Sequence, residues 1–241
     1  MSVVTVRGRR LDYSESTRQA LVDSAVELIG KRGYAGASLD EIAKRARVTK
    51  GALYHHFSGK QALFEAAFDA VETSVIQRLR AIVHSAGDPW QLAISGLREF
   101  IKICLEPTYQ RIVLQEAPAV MGWERWREAE DHFSYGVIRS TVEVLTKAGL
   151  IAVGPIEVTS RLLFGALSSG ATLIAGSADQ RKASAQVSAA IEGILDAMRA
   201  AAEGQATADG QPAAEGQPAA EGQPTGQRTT GRSPTHLRSR R

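Results

Sequence analysis

A short stretch with the sequence VTKGALYHHF, residues 48–57, gathers side chains that can contact a nucleic acid. Lys50 is long enough to reach a phosphate or a guanine edge, and Tyr54 and His55 offer hydrogen bonds and flat apolar faces. Gly51 costs a helix about 1 kcal/mol relative to alanine. We predict that this cost is offset because a backbone without a Cβ atom can approach base edges closely.

Two adjacent histidines in this stretch could also suggest a metal site. Neighbouring residues on a helix project about 100° apart, so His55 and His56 cannot share an ion as a pair four residues apart can. DNA contact is therefore the favoured interpretation. The sequence has no nucleophile elbow, phosphate-binding glycine loop or paired-histidine motif, so we predict no catalytic residue, no metal and no cofactor.

Two predicted helices precede the stretch and would hold it in place. Residues 16–32 repeat apolar side chains at helical spacing and end at Gly33, which can take the left-handed conformation after a last turn. Ser38 and Glu41 have the capping-box spacing, in which each side chain accepts a hydrogen bond from the other's backbone N–H. A second, short helix is therefore predicted over residues 39–46.

A third predicted helix carries the stretch itself, from the N-cap Thr49 to about Phe57. Residues 38–57 thus have the order helix, tight turn and helix, which lays its second helix in the major groove of DNA. Leu53 and Phe57 would face inward. The helix N-termini at Thr49 and Lys60 favour a phosphate. The positions left facing outward are Lys50, Gly51, Ala52, Tyr54 and His55.

Positive charge is concentrated at the front of the chain. Residues 1–60 hold eleven Lys/Arg and six Asp/Glu, an excess of five, whereas the whole chain has a net charge of +3. Such an asymmetry indicates an end that meets a polyanion. Arg9 and Arg10 belong to a basic arm that could either enter the adjoining minor groove or remain a solvated tail.

The rest of the chain is predicted to be helical as well. Residues 60–84 repeat apolar side chains at steps of three and four, which indicates one long amphipathic helix. Two later helices, at about 155–176 and 179–202, are rich in alanine, glycine and serine, which allow close helix packing. No strand or hairpin signal appears, so the predicted fold class is all-α with about nine helices.

A family resemblance covers about a quarter of the chain closely. Residues 17–69, TRQALVDSAVELIGKRGYAGASLDEIAKRARVTKGALYHHFSGKQALFEAAFD, resemble the DNA-binding end of the TetR family of transcriptional regulators. The resemblance implies an N-terminal three-helix, helix-turn-helix DNA-binding domain, followed by a helical-bundle domain for ligand binding and dimerisation. The DNA contacts that it implies are Ser38, Thr49, Lys50, Gly51, Tyr54, His55, His56 and Lys60.

The resemblance also implies homodimers that a small molecule releases from DNA. We expect association through the helices at about 155–176 and 179–202, which would place two recognition helices about 34 Å apart on a palindromic operator. The effector is unknown, but apolar and aromatic residues in the body favour an apolar or aromatic ligand. The residues that could line its pocket, or form plain core instead, are Trp90, Phe100, Cys104, Met121, Trp123, Trp126 and Phe133.

Composition divides the chain into four predicted segments. They are a basic arm at 1–14, the helix-turn-helix domain at 15–59, the ligand-binding and dimerisation domain at 60–202, and a basic tail at 203–241. In the tail the motif AAEGQP repeats and almost no apolar residue is larger than alanine, which is typical of disorder.

Cysteine usage and hydropathy indicate a cytoplasmic protein without a membrane partner. Cys104 is the only cysteine, so the chain has no internal disulfide, and its apolar surroundings predict a buried structural thiol. We expect no stretch to approach the roughly 20 apolar residues that span a bilayer.

The predicted function is therefore that of a DNA-binding transcriptional regulator. The favoured form of this prediction is a repressor that a ligand releases from DNA. An activator of the same fold and a non-specific, basic DNA-coating protein stay open. An enzyme built on a helical bundle would need convergent polar residues in the body, which the sequence does not display.

Overall fold

The computed structural model describes residues 6–152 and 154–209, with the side chains of 13–129, 131–152 and 154–205. All regular structure in these residues is helical, which confirms the all-α class and the expected number of helices. Two of the nine helices contain π-helical turns, Gln110–Glu116 in the sixth and Asp131–Tyr135 in the seventh. The helices are α1 (Val6–Gly36), α2 (Leu39–Arg45), α3 (Lys50–His56), α4 (Lys60–Val83), α5 (Pro89–Ile103), α6 (107–121), α7 (123–147), α8 (Ile156–Gly176) and α9 (Gln180–Asp209).

The first helix is longer than predicted. It begins at Val6 rather than near residue 16, so the described part of the expected arm is helical. No proline interrupts this segment, and the hydroxyls of Ser16 and Thr17 donate to the Tyr13 carbonyl within the helix. The side chains of Arg9 and Arg10 lie outside the described residues.

A kink at Gly33 marks the far end of α1. Gly33 has φ 76° and ψ 169°, so its φ is positive as predicted, but its ψ lies outside the predicted left-handed helical region, and helical hydrogen bonding resumes and continues to Gly36. This corner turns the chain towards α2.

Two predicted caps position the helix-turn-helix. The Ser38 hydroxyl accepts from the backbone N–H of Glu41 at 3.2 Å, and the Glu41 carboxylate accepts from the Ser38 N–H at 3.2 Å, so the capping box is confirmed. The Thr49 hydroxyl accepts from the N–H of Ala52 at 3.1 Å and begins α3. Leu53 and Phe57 are buried, as predicted, and they fix which face of α3 points outward.

The long helix α4 connects this N-terminal unit to the rest of the protein. It covers Lys60–Val83, as its spacing predicted. Phe64, in its first half, packs edge to face against Tyr34 of α1, with ring centroids 5.4 Å apart. Its second half packs against α5, where Gly96 allows a close approach because a Cβ there would lie 2.8 Å from Val83.

The last two helices pack tightly, as their small residues predicted. A Cβ on Gly170 of α8 would lie 2.6 Å from a methyl carbon of Val187 on α9, so only glycine permits this separation. The final helix continues to Asp209, beyond the predicted end near 202, and no proline interrupts residues 203–209. The predicted disordered tail was 203–241; residues 203–209 are helical instead, and the rest of the tail lies outside the described residues.

One described helix, α8, has the length and apolar composition of a membrane span. The expectation that no stretch has this character is therefore wrong. The test uses length and composition alone, and core helices of soluble proteins pass it. Only 28% of the apolar window is buried, so α8 carries an uncovered apolar face.

Candidate nucleic-acid interface and internal cavity

The outer face of α3 is exposed at its centre. Tyr54 is 50% exposed, and Gly51 and His55 are exposed beside it. The nearest atom to a Cβ built on Gly51 is the Thr49 hydroxyl oxygen, at 3.9 Å. Packing within the described protein therefore gives no reason for glycine here, whereas close approach of an external backbone or base would.

Lys50 also lies on this face, but it is paired. Its ammonium group contacts the Asp40 carboxylate of α2 at 2.8 Å, and both side chains are exposed. The hydrogen bond to Asp40, together with the carboxylate charge, raises the pKa of Lys50. Because exposed ion pairs are weak, a phosphate can compete with Asp40 for this lysine.

The other predicted contact residues surround α3. Ser38 and Thr49 are exposed, although their hydroxyls serve as caps, and Ala52 and His56 are half-buried. The Lys60 ammonium lies over the Tyr34 ring, 4.5 Å from its centroid, which keeps this cation beside the start of α4. The His55 and His56 rings stand 5.3 Å apart and nearly perpendicular.

Sequence reasoning missed one exposed cation in the turn before α3. Arg47 has φ 58°, a rare value for a non-glycine residue, and its side chain is exposed between the two helices of the motif. The run KRAR at 44–47 was the available signal. A basic side chain at this corner suits a phosphate contact.

A polar contact joins the corner after α1 to the body of the protein. The Glu116 carboxylate accepts from the backbone N–H of Tyr34 at 3.2 Å. The same oxygen would lie 2.6 Å from a Cβ on Gly33, so glycine is required for this approach. Glu116 ends the π-helical turn of α6, which therefore contacts the DNA-binding unit directly.

The body contains an apolar cavity of about 120 Å³ that opens to the surface. Helices α4 to α9 all contribute to its wall, and Phe100, Tyr109 and Phe164 supply aromatic surface. No charged side chain lines it in the part of the chain that the structure describes. Its wall includes Leu79 and Val83 of α4, so the helix that leads from α3 also bounds the cavity.

Only Phe100 of the seven predicted pocket residues lines this cavity. Trp123 lies instead on the surface, 63% exposed, with its ring 4.9 Å from that of Trp126. Phe133 packs against Phe68, with ring centroids 6.4 Å apart. Helical spacing predicts which face of a helix is buried, but it does not show whether that face packs against core or lines a cavity.

The remaining three predicted pocket residues form core. Trp90 lies beneath the Arg199 guanidinium, at 4.9 Å, and Met121 is buried near the end of α6. Cys104 is fully buried, which confirms the predicted structural thiol. Burial, helped by the Glu72 charge, raises the pKa of Cys104 to about 12.

Comparisons with known proteins cover both parts of the chain. Residues 21–67 match the family described as bacterial regulatory proteins, tetR family, and residues 90–198 match the tetracyclin repressor-like C-terminal domain. The TetC protein of transposon Tn10 from Escherichia coli is 28% identical over 151 residues, which cover 63% of this chain and 76% of TetC.

A solved structure decides the family. The crystal structure of a TetR-family transcriptional regulator from Pectobacterium atrosepticum is 32% identical, with a TM-score of 0.71, and the match covers 78% of this chain and 96% of that one. The chain belongs to the TetR family of transcriptional regulators. This TetR-family protein therefore carries a helix-turn-helix DNA-binding domain, and α3 lies within the residues matched to it.

A more distant structure shares the fold of this TetR-family protein. RolR, solved in complex with resorcinol, is 18% identical with a TM-score of 0.61, and the match covers 85% of this chain and 98% of RolR. At that identity the similarity concerns the fold alone. Both the matched bacterial regulatory family and the Pectobacterium atrosepticum protein have a regulatory role rather than an enzymatic one.

Proposed function

We propose that this TetR-family protein is a cytoplasmic repressor that binds a palindromic operator as a homodimer and is released by a small apolar or aromatic ligand. One observation carries the proposal. Only three residues separate the recognition helix from α4, and the far end of α4 lies in the wall of an apolar cavity. A single rigid element thus touches both the DNA-binding unit and the ligand space.

The DNA contacts that we propose lie on and around α3. Lys50, Gly51, Ala52, Tyr54, His55 and His56 would meet the major groove or its edges. Ser38, Thr49, Lys60 and Arg47 would meet phosphates, and Arg9 and Arg10 belong to the same basic end. Phosphate contacts set the position of the helix, whereas Lys50 and Tyr54 are the candidates for reading bases.

Dimerisation through α8 and α9 is supported by their uncovered apolar faces. Val158, Leu162 and Leu173 of α8 are more than half exposed, and Ile194 of α9 is 44% exposed. The α8 residues recur at helical spacing, so they form one stripe. A second copy of the same stripe would cover it, as a two-fold interface requires. The apolar composition of α8 then has an explanation without a membrane.

Release by a ligand would use the contacts between the cavity and the DNA-binding unit. Leu114 lines the cavity, and Glu116 holds the Tyr34 N–H two residues later in the same π-helical turn. A ligand that displaces Leu114 or tilts α4 would therefore move the recognition helix relative to its partner. The ligand must favour the DNA-incompetent state by about 1–3 kcal/mol. RolR with resorcinol supports a small-molecule site in this fold.

The experiment that tests the proposal is a footprint on the DNA that flanks the protein's own gene, with an unrelated duplex as competitor at physiological salt. We expect a protected palindrome whose affinity collapses in Lys50→Ala and Tyr54→Ala. The matched control is Lys147→Ala, which removes an exposed cation at the end of α7, in the body. Equal affinity for every duplex would instead support a DNA-coating role.

Transcription from the footprinted promoter separates a repressor from an activator. We expect added protein to lower transcript yield in a purified system, because a bound dimer occludes the promoter. An increase in yield from the same site would assign activation instead.

A further inference from the structure

We infer that the ligand of the cavity is an uncharged, mainly apolar molecule whose polar group hydrogen-bonds to the hydroxyls of Ser134 and Ser168. This inference rests on the proposed function in one respect, namely that the cavity is the effector site. The proposed function says only that the ligand is apolar or aromatic. The inference adds that the ligand is uncharged and names the side chains that recognise its polar group.

The wall of the cavity excludes an ionised ligand. Among the residues described, its lining contains no Asp, Glu, Lys, Arg or His. A carboxylate or ammonium placed there would lose its hydration without gaining an opposite charge, and the cost of several kcal/mol exceeds what most ligand contacts return. The glutamates near this part of the chain point elsewhere: Glu116 binds Tyr34, and Glu124 and Glu128 are exposed.

Besides Tyr109, which already has a partner, three residues with aliphatic hydroxyls line the wall. Thr141 donates its proton to the Val137 carbonyl at 2.9 Å, one turn earlier in α7. Ser134 and Ser168 make no such bond within the described chain, although Thr172 in the same helix as Ser168 does, at 3.0 Å. Two half-buried serine hydroxyls therefore keep both donor and acceptor capacity for a ligand.

The helix geometry around these residues supports a binding site rather than a packing defect. Both π-helical turns of the described chain supply residues to the wall, Leu114 from Gln110–Glu116 and Ser134 from Asp131–Tyr135. A π turn inside a helix is rare and is frequently found at functional sites. The turn at Asp131–Tyr135 brings Ser134 into the wall.

A set of matched bicyclic probes tests the inference with the full-length protein. Isothermal titration at neutral pH would compare naphthalene, 2-naphthol, 2-naphthoate and the naphthalen-2-ylmethylammonium ion. We expect 2-naphthol to bind at least about tenfold more tightly than either ion, because only the ions bring a charge into the cavity. We expect naphthalene to bind more weakly than 2-naphthol.

Serine variants show whether the hydroxyls recognise the probe. The double variant Ser134→Ala/Ser168→Ala should lower the affinity for 2-naphthol by about threefold to tenfold, since one net hydrogen bond has that value. The affinity for naphthalene should stay unchanged. The control is Ser169→Ala, an exposed neighbour of Ser168 that does not line the cavity. Equal binding of neutral and charged probes, binding of none, or an unaffected double variant would overturn the inference.

The same titrations keep the two proposals apart. Probe binding is measured without DNA, and release from the footprinted duplex is measured separately. If 2-naphthol binds with the expected preference but leaves the DNA complex intact, the ligand class stands and ligand-released regulation fails. If the protein binds its operator and 2-naphthoate binds as tightly as 2-naphthol, only the ligand class is wrong.

Discussion

At the scale of single residues, Lys50 is not free to meet DNA in the unbound protein. Its ammonium group contacts Asp40 at 2.8 Å, and this contact has to break before Lys50 reaches a base or a phosphate. Asp40 also places a negative charge beside the proposed DNA surface. The helix-turn-helix therefore contains its own competitor for the phosphate backbone.

The substitution Asp40→Asn should accordingly strengthen DNA binding. We expect a gain of about twofold to fivefold in affinity for specific and unrelated duplexes alike, in keeping with a weak exposed pair. Fluorescence anisotropy at several salt concentrations measures it. Glu203→Gln, which removes the same charge from exposed α9, should leave affinity unchanged. A loss of affinity in Asp40→Asn would show that Asp40 orients Lys50 instead of competing for it.

Cys104 is predicted to be unreactive in the folded protein. Burial raises its pKa from 9.0 to about 12, so the thiolate is scarce at pH 8 and the side chain is inaccessible. A disulfide reagent should label it only after denaturation. Because the folded pKa exceeds the unfolded one, stability should also fall as the pH rises from about 9 towards 12, and Cys104→Ala should remove that part of the decline. Rapid labelling of native protein would contradict this.

At the scale of elements, the corner after α1 joins the DNA-binding unit to α6. Gly33 has φ 76°, and its missing Cβ leaves room for the Glu116 carboxylate that holds the Tyr34 N–H. Glu116 belongs to a π-helical turn that also supplies Leu114 to the cavity. The positive-φ corner and the π-helical turn thus meet between the DNA-binding unit and the cavity.

The substitution Gly33→Ala should destabilise the protein by about 1–3 kcal/mol, because φ 76° with ψ 169° is a backbone conformation that essentially only glycine adopts. The new Cβ would also push Glu116 away, because it would lie 2.6 Å from the carboxylate oxygen. Urea unfolding followed by circular dichroism measures the loss. Gly136→Ala in α7 is the control, since no atom outside its own turn lies within 4 Å of its Cβ. Equal effects of the two substitutions would contradict a special role for this corner.

Glu116→Ala tests the same joint from the other side. Glu116→Ala should lower the free energy of unfolding by less in the Gly33→Ala background than in the wild type. The reason is that Gly33→Ala has already displaced the carboxylate. Additive losses would show that the two residues act independently.

At the scale of the whole molecule, α8 exposes an apolar stripe that the described residues leave uncovered. Leu162 is 70% exposed near the middle of this stripe, between Val158 and Leu173. Such a surface is typical of a protein interface. The proposed dimer would bury it and thereby fix the separation of the two recognition helices.

The substitution Leu162→Glu should convert the dimer into monomers, because it places two like charges at the centre of a two-fold interface. Analytical ultracentrifugation measures the mass, and operator affinity should fall with it. Val144→Glu is the matched control, because Val144 is an exposed apolar residue of α7 rather than of α8 or α9. A dimer that persists in Leu162→Glu would place the interface elsewhere.

Local chemistry in the sequence determined the helix-turn-helix. The capping box at Ser38 and Glu41, the cap at Thr49 and the inward Leu53 depend on residues at most a few positions apart, so their spacing was sufficient to predict them. The same holds for the long helix from Lys60, whose apolar period is uninterrupted. The close packing at Gly170 followed from composition alone.

Only the tertiary structure decided which residues surround the cavity. A helix has several buried faces when it packs on more than one neighbour, and periodicity cannot distinguish a face against core from a face against a void. Trp126 and Cys104 are aromatic or apolar in a helical pattern, yet neither lines the cavity. Ser134 and Ser168 carry no signal in the sequence, because their importance depends on side chains from six helices that meet only after folding.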